Sequence, residues 1–496
     1  MAEHQNRTDY MKKLNLLQNS LYAVLCACML WSCAEKRDYQ TAIPADSKIV
    51  MKVNPGAMFA KTELADNDTF NSLMMTLRGT IGLALKDAPL KELATKTLDD
   101  PSALGIDLGK PIIFCLSDAT VSMDEARPVM ILAVSDKNKL KDAIETLSGT
   151  LDVETDASGC AGRIGKDGTL LPYAFNETAF VAGTPSLSTD YLTALLDQNR
   201  IAVESPYFEE FVSSTDDIAV YSGVQAYMDI LTSVPGFDEN VRQQIDKTDI
   251  YKDMYFLMTT NSGNGVMYLR ARSFGTPDSL KTVNMNVSSL LDRLPQSTSA
   301  ALALKMKTTP EYDRATFENL NEETLQEING KLEELEIGID DIIYAIKNGI
   351  VAGLDGDISF SETPKYSVSV AAMPETAQKI RDILNEEIEN ADVSFDGKFL
   401  TLTNMEKGYT KTFANSPMAG IISQYGGFIF DFSRISLPVN GKNSQIAEKV
   451  LDMFEYMTIV PSEENDDCSF SITFKNKQDN ALKTVSNTVI GLVTGK

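Results

Sequence analysis

The sequence predicts an α+β fold made of two tandem related copies, each a mainly antiparallel sheet with helices packed on one face. Three observations predict it. Short runs rich in β-branched and apolar residues, such as PIIFCLS (Pro111–Ser117) and GFIFDF (Gly427–Phe432), are bounded by turn residues and read as strands. Apolar residues at helical spacing follow some of them: Leu140, Ile144 and Leu147, then Ile380, Leu384 and Ile388. The third observation is recurrence, because the same kinds of segment return in the same order in the second half of the chain.

The chain opens with a segment that is not part of this fold. Lys12 and Lys13 precede an unbroken apolar run, Leu21–Trp31, which is shorter than the ~20 residues a membrane-spanning helix needs. A basic start, a short apolar core and a small residue before the cut describe a secretory signal. The cut site, Leu30-Trp31-Ser32-Cys33, resembles the lipobox of bacterial lipoproteins, in which the Cys carries the diacylglycerol; Trp31 departs from the usual small or β-branched residue. The expectation is a signal peptide over 1–32, lipidation at Cys33 and a tether over 33–42. Starts at Met1 and at Met11 both remain open.

Two copies are expected beyond the tether, over 43–293 and 294–496. Ile43-Pro44-Ala45-Asp46-Ser47 leads into the first strand as Leu294-Pro295-Gln296-Ser297-Thr298 leads into another. Gly105-Ile106-Asp107 is matched by Gly338-Ile339-Asp340, each ahead of an apolar strand. VMILAVSDKNKLKDAIETL is matched by SVSVAAMPETAQKIRDILNEE, a strand and then a helix. Hairpin signals follow at Asp167-Gly168 and Asp396-Gly397, where an Asp-Gly pair favours a type I′ turn. Strands Asp217–Ser222 and Gly427–Phe432 correspond. A closing strand and helix end each copy, with Leu280-Lys281-Thr282-Val283 over Leu482-Lys483-Thr484-Val485 and a helix start expected at Thr276-Pro277. The second copy is the shorter one.

Composition narrows the chemistry. With 45 Lys and Arg against 70 Asp and Glu, the chain carries a net charge of −25, which repels nucleic acid and anionic headgroups. The single histidine, His4, and the single tryptophan, Trp31, both lie ahead of Cys33. A processed chain would therefore lack His-dependent nucleophilic catalysis and His-ligated metal sites. Cys115, Cys160 and Cys468 form no CxxC pair. Cys115 reads as a core thiol and Cys160 as a loop residue; a Cys115–Cys160 disulfide and free thiols are both open. No Gly-Lys pair is followed by Ser or Thr, as a P-loop requires, and no Gly-x-Ser-x-Gly elbow occurs. Asp355-Gly356-Asp357 and the acidic stretch 463–467 read as turns rather than calcium loops. No catalytic residue, metal ligand or cofactor is expected.

The lipobox, the IPADS entry, the GID step and the two-copy layout together resemble the uncharacterised Bacteroidetes lipoproteins of domain-of-unknown-function family 4836. The resemblance implies an envelope lipoprotein with no catalytic residues to carry over. Glu35 and Asp38 after the Cys fit the acidic surface-export signal of that phylum, but Lys36 and Arg37 interrupt it. The expected role is binding or scaffolding at the outer membrane, with an outer-membrane protein, a peptide or a glycan held in a groove between the copies. The rival expectation is a His-independent carboxylate enzyme acting on envelope polymers.

Overall fold

A computed structural model describes residues 38–117, 127–201, 203, 205, 207–226, 253–313, 337–359, 363–388, 390–405, 409–436, 442–464 and 466–494. The fold is α+β, with extensive antiparallel sheet. Two compact units are present: residues up to Tyr221 with Val485–Thr494, and Ser222–Thr484 with the last two residues.

The first unit begins with a 3-10 turn, Tyr39–Ala42, capped by the Asp38 carboxylate, which accepts from the Gln40 N–H. Tyr39, Ala42 and Ile43 are buried. Packed residues are thus present from Tyr39 on, inside the stretch 33–42 expected as tether. Strand β1 (Ser47–Val53) leads into helices α1 (Pro55–Thr62), α2 (Asp68–Ala84) and α3 (Ala88–Asp99). Strands β2 (Ile112–Ser117) and β3 (Arg127–Ala133) precede α4 (Lys137–Leu147). Then come β4 (Asp152–Thr155), β5 (Ala161–Lys166), β6 (Thr169–Phe175), β7 (Ala179–Gly183), α5 (Thr189–Leu196), α6 (Phe208–Ser213) and β8 (Ile218–Gly223). Hydrogen-bonded pairing gives the order β8-β1-β2-β3-β7-β6-β5-β4. Leu140 and Ile144 bury the expected face of α4 against Ile106, Leu108, Tyr173 and Phe175. The opposite sheet face is closed by the shorter α5 and α6, through Leu192, Leu195, Phe208 and Phe211.

The second unit holds β9 (Tyr255–Gly263), β10 (Val266–Phe274), α7 (Ser288–Leu291), β11 (Thr298–Leu304), α8 (Ile339–Asn348) and β12 (Ile350–Asp355). It continues with β13 (Lys365–Ala371), α9 (Pro374–Glu387), β14 (Asp392–Phe395), β15 (Phe399–Thr403), α10 (Ala419–Ile422) and β16 (Gly427–Asp431). Helix α11 (Lys442–Leu451) and the hairpin β17 (Phe454–Pro461) and β18 (Asp467–Phe474) follow, and then α12 (Ala481–Thr494), whose residues from Val485 group with the first unit. The strand order is β9-β10-β18-β17-β16-β11-β12-β13-β15-β14, antiparallel throughout. Ile380 and Leu384 of α9 pack on Val393 and Leu400 on one sheet face. The other face is sealed by short segments, with Val287, Leu290, Leu294, Phe413 and Ile422 against Ala301, Ala303, Val351 and Ile429.

Several sequence matches acquire matching geometry. The Ser47 N–H donates to the Pro44 carbonyl and the Thr298 N–H to the Pro295 carbonyl, both at 3.1 Å. β1 has a bulge between Ser47 and Ile49 against β2, and β11 has one between Thr298 and Ala300 against β12. In the first unit the Ser117 hydroxyl donates to Asp46 at 3.2 Å; in the second the roles are exchanged and the Ser297 hydroxyl donates to Asp355. Each hydroxyl ties the entry turn to the neighbouring strand. Ser117→Ala and Ser297→Ala should therefore each cost about 1 kcal/mol, read as a lower urea midpoint with unchanged slope.

Other matches shift. Asp167 (φ 55) and Gly168 (φ 82) form the expected type I′ turn, but at Asp396-Gly397 only the glycine has positive φ. There the Asp396 carboxylate accepts from the Lys398 and Phe399 N–H groups, and Asn176 does the same for Thr178 and Ala179. The Asp396-Gly397 turn thus shares its side-chain bonding with the β6–β7 turn rather than with Asp167-Gly168, and the first unit's sheet also holds β4 and β5. Gly105 ends a 3-10 turn with positive φ, whereas Gly338 starts α8, so the two GID steps occupy different positions. The helix expected from Leu280 is absent: Val283–Asn284 instead pairs with Met306–Lys307, and Asn284 bonds the Ser462 and Glu463 carbonyls. Those partners are distant in sequence and override the local helical spacing. The compact units also divide at Ser222, so residues 222–293, expected in the first copy, group with the second unit.

Candidate functional site

Leu30, Trp31, Ser32 and Cys33 lie outside the described residues, as do His4 and Met11. What is visible is where the chain leaves for them. The Tyr39 hydroxyl donates to the Pro111 carbonyl at 2.6 Å, fixing the first turn to the body. Burial, with Asp107 and Asp38 nearby, pushes the Tyr39 phenol far above its ordinary range. Burial also raises the Asp107 carboxyl, against the pull of the Gly109 N–H, which donates to it at 3.0 Å. Asp107 is the carboxylate of the first GID step, and it is spent on this turn. Asp38 follows Cys33 by five positions in the chain, a reach of at most about 18 Å.

The acidic clusters fall in turns. Asp355 takes the Ser297 hydroxyl, Gly356 has φ 71, and Asp357 lies 3.4 Å from Arg434. Residues 462–466 connect β17 to β18, with Asp467 paired to Arg270 and Glu463 accepting from the Tyr425 hydroxyl; Asn465 lies outside the described residues. Among the described residues, no group of three or more His, Cys, Asp or Glu side chains could hold a metal ion. Cys115, Cys160 and Cys468 are free thiols, and burial pushes the Cys115 thiol up to about 12. An unreactive, buried thiol follows.

Two surfaces have the form of a binding site. One is a cleft of about 580 Å³ between α3 and α4, lined by Leu93 and Ala143 and by mixed charges, including Glu92, Lys96, Lys139 and Asp142. The Glu92 carboxyl is held below its ordinary value by Lys96, which pairs with it at 2.7 Å. Such a group does not suit general-acid work, which needs a raised pKa.

The other is one face of the second unit's sheet. Directly paired residues of neighbouring strands share a face. Starting at β11, Leu302 pairs with Phe428, Phe428 with Ile459, Ile459 with Phe470, Phe470 with Leu269, and Leu269 with Thr260. In the other direction the row runs through Ala352, Val368, Leu402 and Val393. The adjacent row is Ala300, Phe430, Met457, Ile472, Met267 and Ser262. Neither row contains a charged side chain, in a protein that is 23% charged. Helix α9 covers the Val393 end. Toward the middle, Leu302 is 44% and Ile459 39% exposed, and Phe428, Phe430, Phe470 and Leu269 are half-buried. Phe428, Phe430, Phe432, Phe454 and Phe474 form a chain of ring contacts, with successive centroids 6.4, 5.3, 5.3 and 5.1 Å apart. This face was not foreseen from sequence. Its only local signal is the period-two recurrence of Phe428, Phe430 and Phe432, and of Phe470, Ile472 and Phe474.

Among the described residues no helix is long and apolar enough to cross a membrane. No curated protein matches the chain. The solved structures it matches include TP0453 in crystal form IV (10% identity, TM-score 0.28, 48% of this chain and 81% of that one) and in crystal form III (10% identity, TM-score 0.28, 53% and 88%). These scores are below the level that marks a common fold. The family model described as "Domain of unknown function (DUF4836)" matches residues 39–310, from the buried Tyr39 through β11, and on that match the chain belongs to the DUF4836 family.

Proposed function

We propose that the protein is a bacterial envelope lipoprotein, lipidated at Cys33 and held at the outer membrane, whose body binds a partner rather than catalysing a reaction. The observation that carries binding is the uncharged, part-exposed face of the second unit's sheet. Such a surface costs free energy in water and is relieved when apolar surface covers it. Outer-membrane proteins, peptides and glycans are the partner classes the sequence leaves open; the face favours an apolar one. The lipid anchor is supported by the signal-like segment and by the short reach from Cys33 to the packed Tyr39.

A tandem duplication is part of this reading. Its support is the shared entry turn and bulge, and the strand order β8-β1-β2-β3-β7-β6 beside β16-β11-β12-β13-β15-β14. The two closing strands, β10 and β18, pair antiparallel, with Leu269 opposite Phe470.

Metabolic labelling with an alkyne fatty acid tests the anchor in the native host. The wild type should label and sediment with membranes, and Cys33→Ala should lose the label and at least tenfold of the membrane-bound fraction. Equal labelling of both would overturn lipidation at Cys33.

A further inference from the structure

We infer that Cys160 is a site of oxidation by a hydroperoxide, and that the Tyr173 phenol holds the resulting sulfenic acid. The inference goes beyond the binding role proposed above and does not depend on it. Cys160 closes the turn between β4 and β5. The Asp156 carboxylate holds that turn, accepting from the Ser158 hydroxyl at 2.9 and 2.8 Å and from the Cys160 and Ala161 N–H groups at 3.0 and 3.2 Å. The Cys160 thiol is half-buried and meets the Ser158 carbonyl at 3.7 Å. Beneath it lies the cluster that includes Tyr173, Phe175, Leu140 and Ile144, against which Cys160 packs.

Tyr173 is 1% exposed, yet its hydroxyl has no hydrogen-bond partner in the protein. Buried polar groups are nearly always paired, and an unpaired one calls for a reason. Strand register shows where the phenol lies. The Phe175 N–H donates to the Cys160 carbonyl at 2.9 Å, and Tyr173 pairs directly with Gly162. Cys160 and Gly162 thus share a face with Tyr173 and Phe175, and the glycine leaves room over its strand for the phenol. Burial, and then the nearby Asp156 and Cys160, pushes the phenol up to about 12, so it stays protonated and able to donate. A thiol sulfur accepts only weakly. The oxygen of a sulfenic acid accepts well, and at this position it would take the unpaired O–H.

In the step itself the sulfur, as thiolate, attacks one peroxide oxygen. The S–O bond forms as the O–O bond breaks. Sulfur gives up two electrons to the peroxide, and the leaving oxygen takes up the thiol's proton and departs as water or an alcohol. Lys141 donates to the same Ser158 carbonyl at 3.0 Å, which sets a positive charge beside the turn where the leaving oxygen becomes negative. Cys115, the other thiol described in the first unit, is on the opposite side of the sheet. It shares a face with Ile113, and direct pairing carries that face through Ile131, Val181 and Ala174 to Ala161. Cys160, one residue before Ala161, points the other way. Its sulfenic acid therefore meets a phenol rather than a disulfide partner.

The test treats the full-length protein with hydrogen peroxide, removes the peroxide with catalase and adds dimedone, which traps sulfenic acids, after increasing delays. Peptide mapping by mass spectrometry then reads each cysteine separately. Cys160 should carry the adduct, and the buried Cys115 should not. Tyr173→Phe keeps the ring and removes only the unpaired hydroxyl, so its thermal melt should stay within a few degrees of the wild type. Its sulfenic acid at Cys160 should decay about fivefold faster, the factor that one hydrogen bond of ordinary net strength supplies. Tyr191→Phe removes the unpaired hydroxyl of a tyrosine near Cys115 and should leave the lifetime unchanged. A wild type without adduct at Cys160, or equal lifetimes in the wild type and Tyr173→Phe, would overturn the inference. So would an equal loss of lifetime in Tyr191→Phe, since the effect would then not belong to the Tyr173 hydroxyl.

Discussion

Lys52→Met should destabilise the first unit by about 3 kcal/mol and remove a pH dependence that the wild type shows above neutrality. Lys52 is 3% exposed on β1, and its ammonium donates to the Phe211 and Val212 carbonyls at 2.8 and 2.9 Å. Those carbonyls belong to the end of α6, where backbone acceptors lack intrahelical partners and the helix dipole favours a cation. The ammonium also lies 5.2 Å from the centroid of the Phe211 ring. Methionine fills similar space but leaves the Val212 carbonyl without its ammonium partner and the Phe211 carbonyl with only the Ser214 N–H, 3.3 Å away, at about 1–3 kcal/mol for each lost charged hydrogen bond, offset in part because a charge no longer has to be desolvated.

The sign of the pH effect follows from the direction of the shift. Burial lowers the Lys52 pKa from 10.5 to about 8, with Asp216 opposing. Between those values the unfolded chain binds the extra proton, so this group makes stability rise with pH through that window. Its contribution is lost as pH falls through about 8. The shift corresponds to about 3 kcal/mol in all. The buried Cys115 thiol and Tyr173 phenol, each raised to about 12, act in the opposite direction at alkaline pH. The informative measurement is therefore the difference between wild type and Lys52→Met in urea midpoint from pH 7 to 10.5. That difference should widen in favour of the wild type as pH rises; a constant difference would contradict the role given to Lys52.

Gly105→Ala should cost about 3–4 kcal/mol, with Gly168→Ala as its control at about 1 kcal/mol. Both glycines have positive φ, 76 and 82, which an alanine adopts at a cost of about 1 kcal/mol. Around Gly168 nothing lies within 4 Å of an added Cβ. At Gly105 the Cβ would stand 2.3 Å from the Asp136 carbonyl oxygen and 2.5 Å from the Leu140 nitrogen. Asp136 caps α4 and Leu140 begins its buried face, so relief of the clash must move the helix off Tyr173 and Phe175. Thermal or urea unfolding of both variants decides it. Equal effects would mean that the backbone conformation alone matters at Gly105.

The two glycines also mark how far the sequence could be read. Asp167-Gly168 announced its turn, because a type I′ turn depends on the φ preferences of two adjacent residues. The GID step at Gly105 was visible as a repeat, but its contact with Asp136 was not. The entry turns at Pro44 and Pro295 and the helical faces of α4 and α9 were legible for the same local reason. The Leu280 helix was misread because Asn284 and Val283 are held by partners far along the chain. The candidate binding face was invisible, since it is assembled from residues as distant as Leu269 and Phe470 whose alignment depends on strand register.

The sequence by itself determined the α+β class, the repeated entry into each sheet, the family resemblance, and the position of the only histidine and tryptophan ahead of Cys33. These depend on composition and on neighbours a few residues apart. Only the tertiary structure decided that the compact units divide at Ser222, that β10 and β18 lie side by side, that Lys52 is buried on carbonyls of α6, and that an uncharged face runs across the second sheet. Each of these is set by pairing between distant strands, and a shift of one residue in register would turn every side chain of a strand to the other face.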